Sequence, residues 1–174
     1  MARTRAELIA YLEGLGIETK TVDHPPLFTV EQSQALRGEI AGAHTKNLFV
    51  KDKKGRYFLL TVGEETEIDL KAVHQTIGAS GRVSFGKADA LWDLLGVQPG
   101  AVTAFGVFND VGGHVTLVLD AGLMQNAVVN CHPLTNEATT SIASRDLIRF
   151  AEATGHSPLI LNLAAASPHD ENLA

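Results

Sequence analysis

Residues 44–62 read HTKNLFVKDKKGRYFLLTV, and this stretch decides the fold. Its two ends, residues 47–50 and 57–62, are rich in the apolar, aromatic and β-branched residues that are typical of strands. Between them, Asp52, Lys53 and Gly55 supply the polar and glycine residues that favour a turn. We therefore predict an antiparallel hairpin, the clearest one in the sequence.

Elements of both kinds are predicted on either side of this hairpin. Helices are expected where capping residues precede apolar residues at helical spacing. The signals are the capping boxes of Thr4 with Glu7 (a helix ending at Gly14 or Gly16) and of Thr29 with Gln32 (a helix to about residue 37), caps at Asp69 and Ser144, closure at Gly155, and the apolar residues 91–95. Further strands are predicted over residues 17–22, 82–85, 102–108, 115–119, 128–132, 139–143 and 158–163.

This order of elements predicts the fold class. Strands and helices are mixed without strict alternation, which favours an α+β fold over a doubly wound one. We expect a single domain over residues 1–163, with a mixed β-sheet and flanking helices, followed by a flexible tail over residues 164–174.

Composition narrows the class of protein. The chain has 174 residues, 45% of them hydrophobic and 20% charged, as in an ordinary globular domain. No apolar run approaches the roughly 20 residues of a membrane span, and no signal peptide is seen, so a cytoplasmic location is expected. The net charge of −6 disfavours non-specific nucleic-acid coating, although residues 1–87 carry a net +1 and residues 88–174 a net −7. Contact with phosphate is therefore expected from the first half, where Lys46 and a basic run over residues 51–56 cluster, unless that cluster is only a solvated hairpin tip.

Several kinds of catalytic site have no support in the sequence. The seven histidines show none of the spacings of zinc ligands, and the single cysteine precludes an internal disulfide, so no metal and no cofactor are predicted. Serine-nucleophile elbows, P-loops and dinucleotide fingerprints are missing from the sequence. The acidic run of Glu64, Glu65 and Glu67 is interpreted as a solvated turn.

Lys46 is unusual for its position. It precedes the apolar residues 48–50 in what looks like an internal strand, where lysine is depleted. Its ammonium group could point into a cleft and donate to an anionic group. Alternatively, it is an edge-strand lysine that discourages aggregation. The residue pattern alone leaves both interpretations open.

Cys131 and His132 are adjacent, but they are not expected to act together. Successive strand residues point to opposite faces, so the two side chains cannot form a nucleophile pair. Cys131 is interpreted as a small buried hydrophobe. His132 ends its strand just before Pro133, where it is either a functional group or a satisfied structural histidine.

Several of these stretches resemble those of a known family. Residues 44–50 and 57–62 are similar to the hairpin of the prolyl-tRNA synthetase editing-domain superfamily, which includes the free-standing YbaK-like and ProX proteins. The resemblance covers about residues 4–163. Its other parts are the G-x-x-P-like loop of Gly96, Val97, Gln98, Pro99 and Gly100, the hairpin-like residues 105–110 and 115–120, and the ProX-like segment of His132, Pro133, Leu134, Asn136, Thr139 and Thr140. Ala104 departs from the family where many members have proline.

The resemblance implies a function and a set of site residues. It implies a trans-acting deacylase that hydrolyses alanine from mischarged Ala-tRNA(Pro), with the aminoacyl-tRNA acceptor end as substrate and prolyl-tRNA synthetase as a partner. Lys46 would hold the terminal nucleotide or its phosphate, and His132 would line the aminoacyl pocket. Backbone groups of the loop from Gly96 through Val97, Gln98 and Pro99 to Gly100 would donate to the carbonyl oxygen. Thr45 and Asn47 are weaker candidates for the pocket wall.

Two alternative functions stay open at this point. One is the same hydrolysis on another misacylated tRNA, such as Cys-tRNA(Pro). The other is a tRNA- or nucleic-acid-binding module without turnover. Sequence-specific DNA binding and membrane association are not expected.

Overall fold

The hairpin lies at the centre of the sheet in a computed structural model, which describes residues 2–26, 35 and 40–165. Strand β2 (Ala43–Lys51) pairs antiparallel with β3 (Tyr57–Gly63), so that Lys46 lies opposite Val62. At the turn, the buried Asp52 carboxylate accepts hydrogen bonds from the amides of Lys54, Arg56 and Ser80. The predicted hairpin is confirmed, and β2 is longer than expected.

The remaining elements surround this pair. The strands are β1 (Thr19–Asp23), β4 (Ser84–Phe85), β5 (Val115–Asp120), β6 (Val128–Cys131), β7 (Ala138–Ala143) and β8 (Leu159–Leu161). The α-helices are α1 (Arg5–Gly14), α2 (Val73–Ile77), α3 (Ala88–Leu95) and α4 (Ser144–Ala153), and 3₁₀ helices cover Pro99–Ala101, Ala104–Asn109 and Leu123–Gln125. None of the described helices combines the length and apolar character that a bilayer-spanning helix needs.

The sheet is mixed, as predicted. The strand order is β1-β7-β6-β2-β3-β5-β8, with β4 also paired to β2. The pairs β2–β6, β3–β5 and β5–β8 are parallel, and the others are antiparallel. Strand β2 meets β6 only at residues 43–44 and β4 only at residues 50–51. Between those two short pairings, this edge of β2 has no strand partner within the described residues.

The two faces of the sheet carry two separate cores. Because side chains alternate along a strand, Phe49 and Leu59 face the larger cluster, which also contains α1, α3 and α4 side chains. Val50 and Leu60 face the smaller cluster, which α2 covers. The Lys46 side chain lies on the same face of β2 as Leu48 and Val50, which is the face of the smaller cluster.

Three predicted elements require correction. Residues 102–108 were expected to form a strand, but Ala104–Asn109 is a buried 3₁₀ helix that begins where Thr103 accepts a hydrogen bond from the amide of Phe105. An apolar run that is buried on all sides has no exposed face, so its pattern does not separate a strand from a helix. The hairpin expected from residues 105–110 and 115–120 is therefore not formed.

The other two corrections concern helix caps. Asp69 accepts a hydrogen bond from the amide of Lys71, which closes a turn before the helix, and α2 begins only at Val73. Ser144 is already helical, and its hydroxyl donates to the carbonyl of Asn126 instead of capping the helix. In contrast, the predicted Thr4 capping box is confirmed. The helix expected over residues 29–37 lies outside the described residues, as does the expected tail from residue 166 onward.

Candidate functional site

Strand β2 presents two sets of predicted site residues to opposite faces. Lys46 shares its face with His44, whereas Thr45 and Asn47 lie on the other face. Lys46 is half-buried, and β2 lies inside the sheet between β3 and the strands β6 and β4. Lys46 itself lies in the part of β2 where one edge has no strand partner among the described residues, so the topology leaves both interpretations of Lys46 open. Its side chain lies on the face of the second core.

A pocket opens at the His44 end of this face. It has a volume of about 450 Å³. Its described lining residues are Gly42, His44, Gly63, Glu64, Glu65 and Thr66. The His44 Nε2 atom donates to the carbonyl of Ile40 at 3.2 Å, because a carbonyl oxygen can only accept. Nδ1 of neutral His44 is then left as a hydrogen-bond acceptor.

His132 belongs to the same side of the sheet. It interacts electrostatically with His24, His44 and Glu64, the last two of which line the pocket. Burial lowers the pKa of His132 and outweighs the opposing effects of the Ala138 carbonyl and Glu64. His132 is therefore neutral at pH 7.

The tautomer of His132 follows from its hydrogen bond. Nδ1 lies 3.1 Å from the carbonyl oxygen of Ala138, which can only accept, so Nδ1 carries the proton. Nε2 of the neutral ring then keeps its lone pair. A neutral histidine in this tautomer can accept a proton or a hydrogen bond from water or from a hydroxyl group.

Cys131 points away from this site, as the strand alternation predicts. It is 2% exposed and lies in the larger core. Burial raises the pKa of its thiol to about 12 and outweighs the opposing effect of the Thr45 hydroxyl, whose oxygen lies 3.8 Å from the sulfur. A thiol with this pKa is not a nucleophile at neutral pH, and the interpretation of Cys131 as a small buried hydrophobe is confirmed.

Thr45 and Asn47 hold neighbouring elements in place. The Thr45 hydroxyl donates to the carbonyl of Asn130 at 2.7 Å, which joins β2 to β6. The Asn47 amide donates to the carbonyl of Val102 at 3.2 Å and accepts from the Thr61 hydroxyl at 2.6 Å. These contacts occupy both side chains, and their role in a pocket wall stays a prediction.

The loop from Gly96 to Gly100 lies on the side of the larger core. Gly96 ends α3 with a φ of 65°, and a side chain there would collide with Asn109. Val97 is buried, whereas Gln98, Pro99 and Gly100 are exposed. A Cβ atom added at Gly100 would lie 3.3 Å from Asn136 Nδ2. The exposed end of the loop therefore approaches the segment that carries His132.

The segment after His132 contains the one non-glycine residue with positive φ in the described chain. Leu134 has a φ of 67°, a conformation that a branched residue adopts at a cost. Its amide donates to the carbonyl of His132 at 3.0 Å, and its side chain packs against the larger core. Such strain persists only where the surroundings impose it, and it is frequent at functional sites. The turn that carries His132 is thus held in a defined shape.

The structure brings some of the predicted site residues together and leaves others apart. Lys46 and His132 share one side of the sheet, whereas the Gly96–Gly100 loop lies on the side of the larger core and approaches the His132 segment only where Gly100 lies beside Asn136. Sequence reasoning missed His44 and Glu64. Glu64 lies on the predicted turn, which the Thr66 amide closes by donating to the Gly63 carbonyl, but it is half-buried in the pocket wall and not solvated, whereas Glu65 and Glu67 are exposed as expected. The hairpin register could have identified both residues, because residues just after β3 must lie beside residues just before Lys46.

Within the described ranges, no three His, Cys, Asp or Glu side chains are grouped as metal ligands.

Comparison with known proteins gives a consistent result. The model of the aminoacyl-tRNA editing domain family matches residues 24–150. The chain is 40% identical over 162 residues to prolyl-tRNA synthetase associated domain-containing protein 1 of Mus musculus, covering 91% of this chain and 95% of that one. It is 34% identical over 151 residues to the prolyl-tRNA editing protein ProX of Acetoanaerobium sticklandii, covering 86% and 92%.

A solved structure shares the fold. The crystal structure of a candidate trans-editing enzyme for prolyl tRNA synthetase superposes with a TM-score of 0.66 at 22% identity, covering 93% of this chain and 99% of that one. The mixed sheet with flanking helices is therefore the fold of this group of structures.

Proposed function

Because the chain belongs to the aminoacyl-tRNA editing domain family, we propose that it is a trans-acting deacylase that hydrolyses Ala-tRNA(Pro). The observation that carries this proposal is that Lys46 and neutral His132 lie on one side of the sheet, beside a pocket lined by His44 and Glu64. One cation and one neutral base next to a pocket are the groups that binding and hydrolysing a nucleotide ester would use.

The chemistry requires no protein nucleophile. The ester between an amino acid and the terminal adenosine is already activated, so the site must place a water molecule and stabilise the oxyanion that forms. This accounts for a site without a serine nucleophile and with an unreactive Cys131 thiol.

Each proposed residue has a distinct role. The Lys46 ammonium donates to the terminal nucleotide or its phosphate. Nε2 of His132 accepts a hydrogen bond from the attacking water or from the ribose 2′-hydroxyl, and so positions it. The Gly96–Gly100 loop reaches this segment only at its exposed end, where Gly100 approaches Asn136, so the amides of Gln98 and Gly100 are the ones assigned to the carbonyl oxygen, where negative charge develops.

Selection by size explains why such an enzyme is needed. A synthetase pocket built for proline rejects the smaller alanine weakly, because one missing methylene changes binding by only about 1–3 kcal/mol. A second, smaller pocket that admits alanine and excludes proline removes the error. The bulky His132 ring at the site would limit the size of the side chain that enters.

We also propose where the protein acts and which part of the chain is needed. The domain over residues 1–163 acts in the cytoplasm on tRNA released by prolyl-tRNA synthetase, with the tail over residues 164–174 not required for hydrolysis. The names of the mouse and Acetoanaerobium relatives, which refer to prolyl-tRNA synthetase and to prolyl-tRNA editing, support this setting.

A deacylation panel tests the proposed function. Purified protein is incubated with tRNA(Pro) esterified with alanine, cysteine, serine or proline, and release of the amino acid is followed over time. We expect hydrolysis of the alanine ester to be the fastest and the proline ester to be spared. Faster hydrolysis of the cysteine ester would identify cysteine, and not alanine, as the amino acid that is removed. If the folded protein hydrolyses none of the esters, a binding module is favoured.

Replacing His132 with alanine should loosen the discrimination between alanine and proline. Removing the ring enlarges the pocket, so the ratio of kcat/KM for the alanine ester to that for the proline ester should fall about ten-fold, within the range of small size differences. The same panel measures this ratio, and His114→Ala, which truncates an exposed histidine, is the matched control. If activity and preference are both unchanged in His132→Ala, the residue is structural.

A further inference from the structure

A basic surface lies at the end of β2 that is farther from the pocket. Its cationic side chains are Lys51, Lys53, Lys54, Arg56, Arg82 and Lys87, and all except the half-buried Lys51 are exposed. Residues 51–56 and 82–87 together contain one acidic residue, Asp52, which is buried and paired with Arg56. The surface thus carries an excess of five positive charges in a chain whose net charge is −6. We call it the hairpin-tip surface.

Specific contacts hold the hairpin turn against residues 78–81, which lead directly into residues 82–87. The amide of Ser80 donates to the Asp52 carboxylate at 3.0 Å, and the amide of Lys53 donates to the carbonyl of Ser80 at 3.1 Å. The Arg56 guanidinium donates to the carbonyl of Gly78, and the Lys53 stem packs on Gly81. Lys53 and Arg56 are therefore held against the segment that precedes Arg82, and the pairing of Lys51 with Ser84 joins the two segments of the surface.

An exposed aromatic side chain lies within this surface. Phe85 is 59% exposed although it is an apolar residue in a strand. It pairs with Val50, so it lies on the same face of the sheet as Lys46. Phe85 lies between Arg82 and Lys87 in the chain, whereas Lys51, which pairs with Ser84, points to the opposite face. Exposed cations close to an exposed aromatic ring are a combination that binds nucleic acid, because the cations contact phosphates and the ring stacks on a base.

We infer that the hairpin-tip surface binds the phosphate backbone of the tRNA acceptor arm, with Phe85 stacking on an unpaired base. This inference rests on the proposed function, which places the terminal adenosine at Lys46. Lys51 is five residues from Lys46 along β2, or about 17 Å at strand spacing. That distance corresponds to about five nucleotides of a stacked strand at roughly 3.4 Å each. A 3′ end that enters at Lys46 therefore reaches the hairpin-tip surface near the start of the acceptor stem.

The test removes three charges without disturbing the contacts that hold the surface together. The variant Lys54→Ala/Arg82→Ala/Lys87→Ala leaves the Asp52–Arg56 pair and the Lys53 stem in place. The matched control Lys20→Ala/Lys71→Ala/Arg145→Ala removes three exposed charges elsewhere. Binding of uncharged tRNA(Pro) is measured by fluorescence anisotropy over a series of salt concentrations. Hydrolysis is measured on Ala-tRNA(Pro) and on the alanyl ester of adenosine alone.

We expect the surface variant to bind tRNA about 10- to 100-fold more weakly. The slope of log K against log salt concentration should decrease in magnitude by about 2–3. Phe85→Ala should weaken binding about ten-fold with an unchanged salt slope. Hydrolysis of the adenosine ester should be equal in all variants. If the surface variant and the control bind tRNA equally, or if wild-type binding does not depend on salt, the inference is wrong. If the wild type fails to hydrolyse the adenosine ester and Ala-tRNA(Pro), the proposed function fails, and the binding data still test the surface.

Discussion

Lys46→Ala is expected to reduce deacylation of Ala-tRNA(Pro) by about 10²–10³-fold while the protein stays folded. The loss corresponds to removal of one charged donor from a site where water is partly excluded. Lys46 is half-buried at the end of the row that leads to Leu48 and Val50, so truncation removes little core packing. Single-turnover rates with Ala-tRNA(Pro) give the effect on hydrolysis, and thermal unfolding gives the effect on stability.

Two further variants separate the charge of Lys46 from its aliphatic stem. Lys46→Met keeps a long apolar side chain and removes the ammonium group, so it should lose as much activity as the alanine variant. Lys20→Ala truncates an exposed strand lysine on β1 and should retain full activity. Full activity in Lys46→Ala would remove this residue from the mechanism. Activity in Lys46→Met but not in Lys46→Ala would assign the stem, and not the charge, to substrate binding.

The parts of the fold that were predictable depend on local signals. The central hairpin follows from two β-rich runs and a turn with Asp52 and Gly55, and α1 follows from the Thr4 capping box. The opposite directions of Cys131 and His132 follow from strand alternation alone. In each case, the information lies within a few residues of the chain.

The parts that were missed depend on tertiary contacts. The buried 3₁₀ helix Ala104–Asn109 has the composition of a strand, and only its packing against α3 and α4 distinguishes the two. Glu64 enters the pocket because β3 returns antiparallel to β2 and sets it beside His44. Lys46 had two equal interpretations because the position of β2 within the sheet cannot be read from β2 itself. Candidate site residues are thus visible in the sequence as unusual residues, whereas their partners become visible only with the register.

A buried hydrogen-bonded pair supports the segment that follows Val102. The Asp110 carboxylate accepts from His156 Nε2 at 2.9 Å, and both side chains are at most 2% exposed. It also accepts from the amides of His114 and Val115 at 3.1 and 2.7 Å. The pair joins the end of α4 to the turn between the 3₁₀ helix Ala104–Asn109 and β5. That 3₁₀ helix follows directly on Val102, whose carbonyl is bound by Asn47.

Asp110→Ala is expected to lower the free energy of unfolding by about 3 kcal/mol, because it leaves His156 Nε2 and the buried Val115 amide without a partner, at about 1–3 kcal/mol for each group. The control Asp146→Ala removes the carboxylate of a more exposed pair with Arg149 and should cost about 1 kcal/mol or less.

Burial would raise the pKa of Asp110, but the hydrogen bonds from His156 and the two amides outweigh it and lower the pKa below 3.8. A carboxylate with a lowered pKa stabilises the fold fully above its unfolded pKa and loses this contribution as the pH falls. Urea unfolding at several pH values should therefore show a constant difference between wild type and Asp110→Ala above about pH 5, shrinking below about pH 4. A difference no larger than that of Asp146→Ala, or one that grows on acidification, would contradict this assignment.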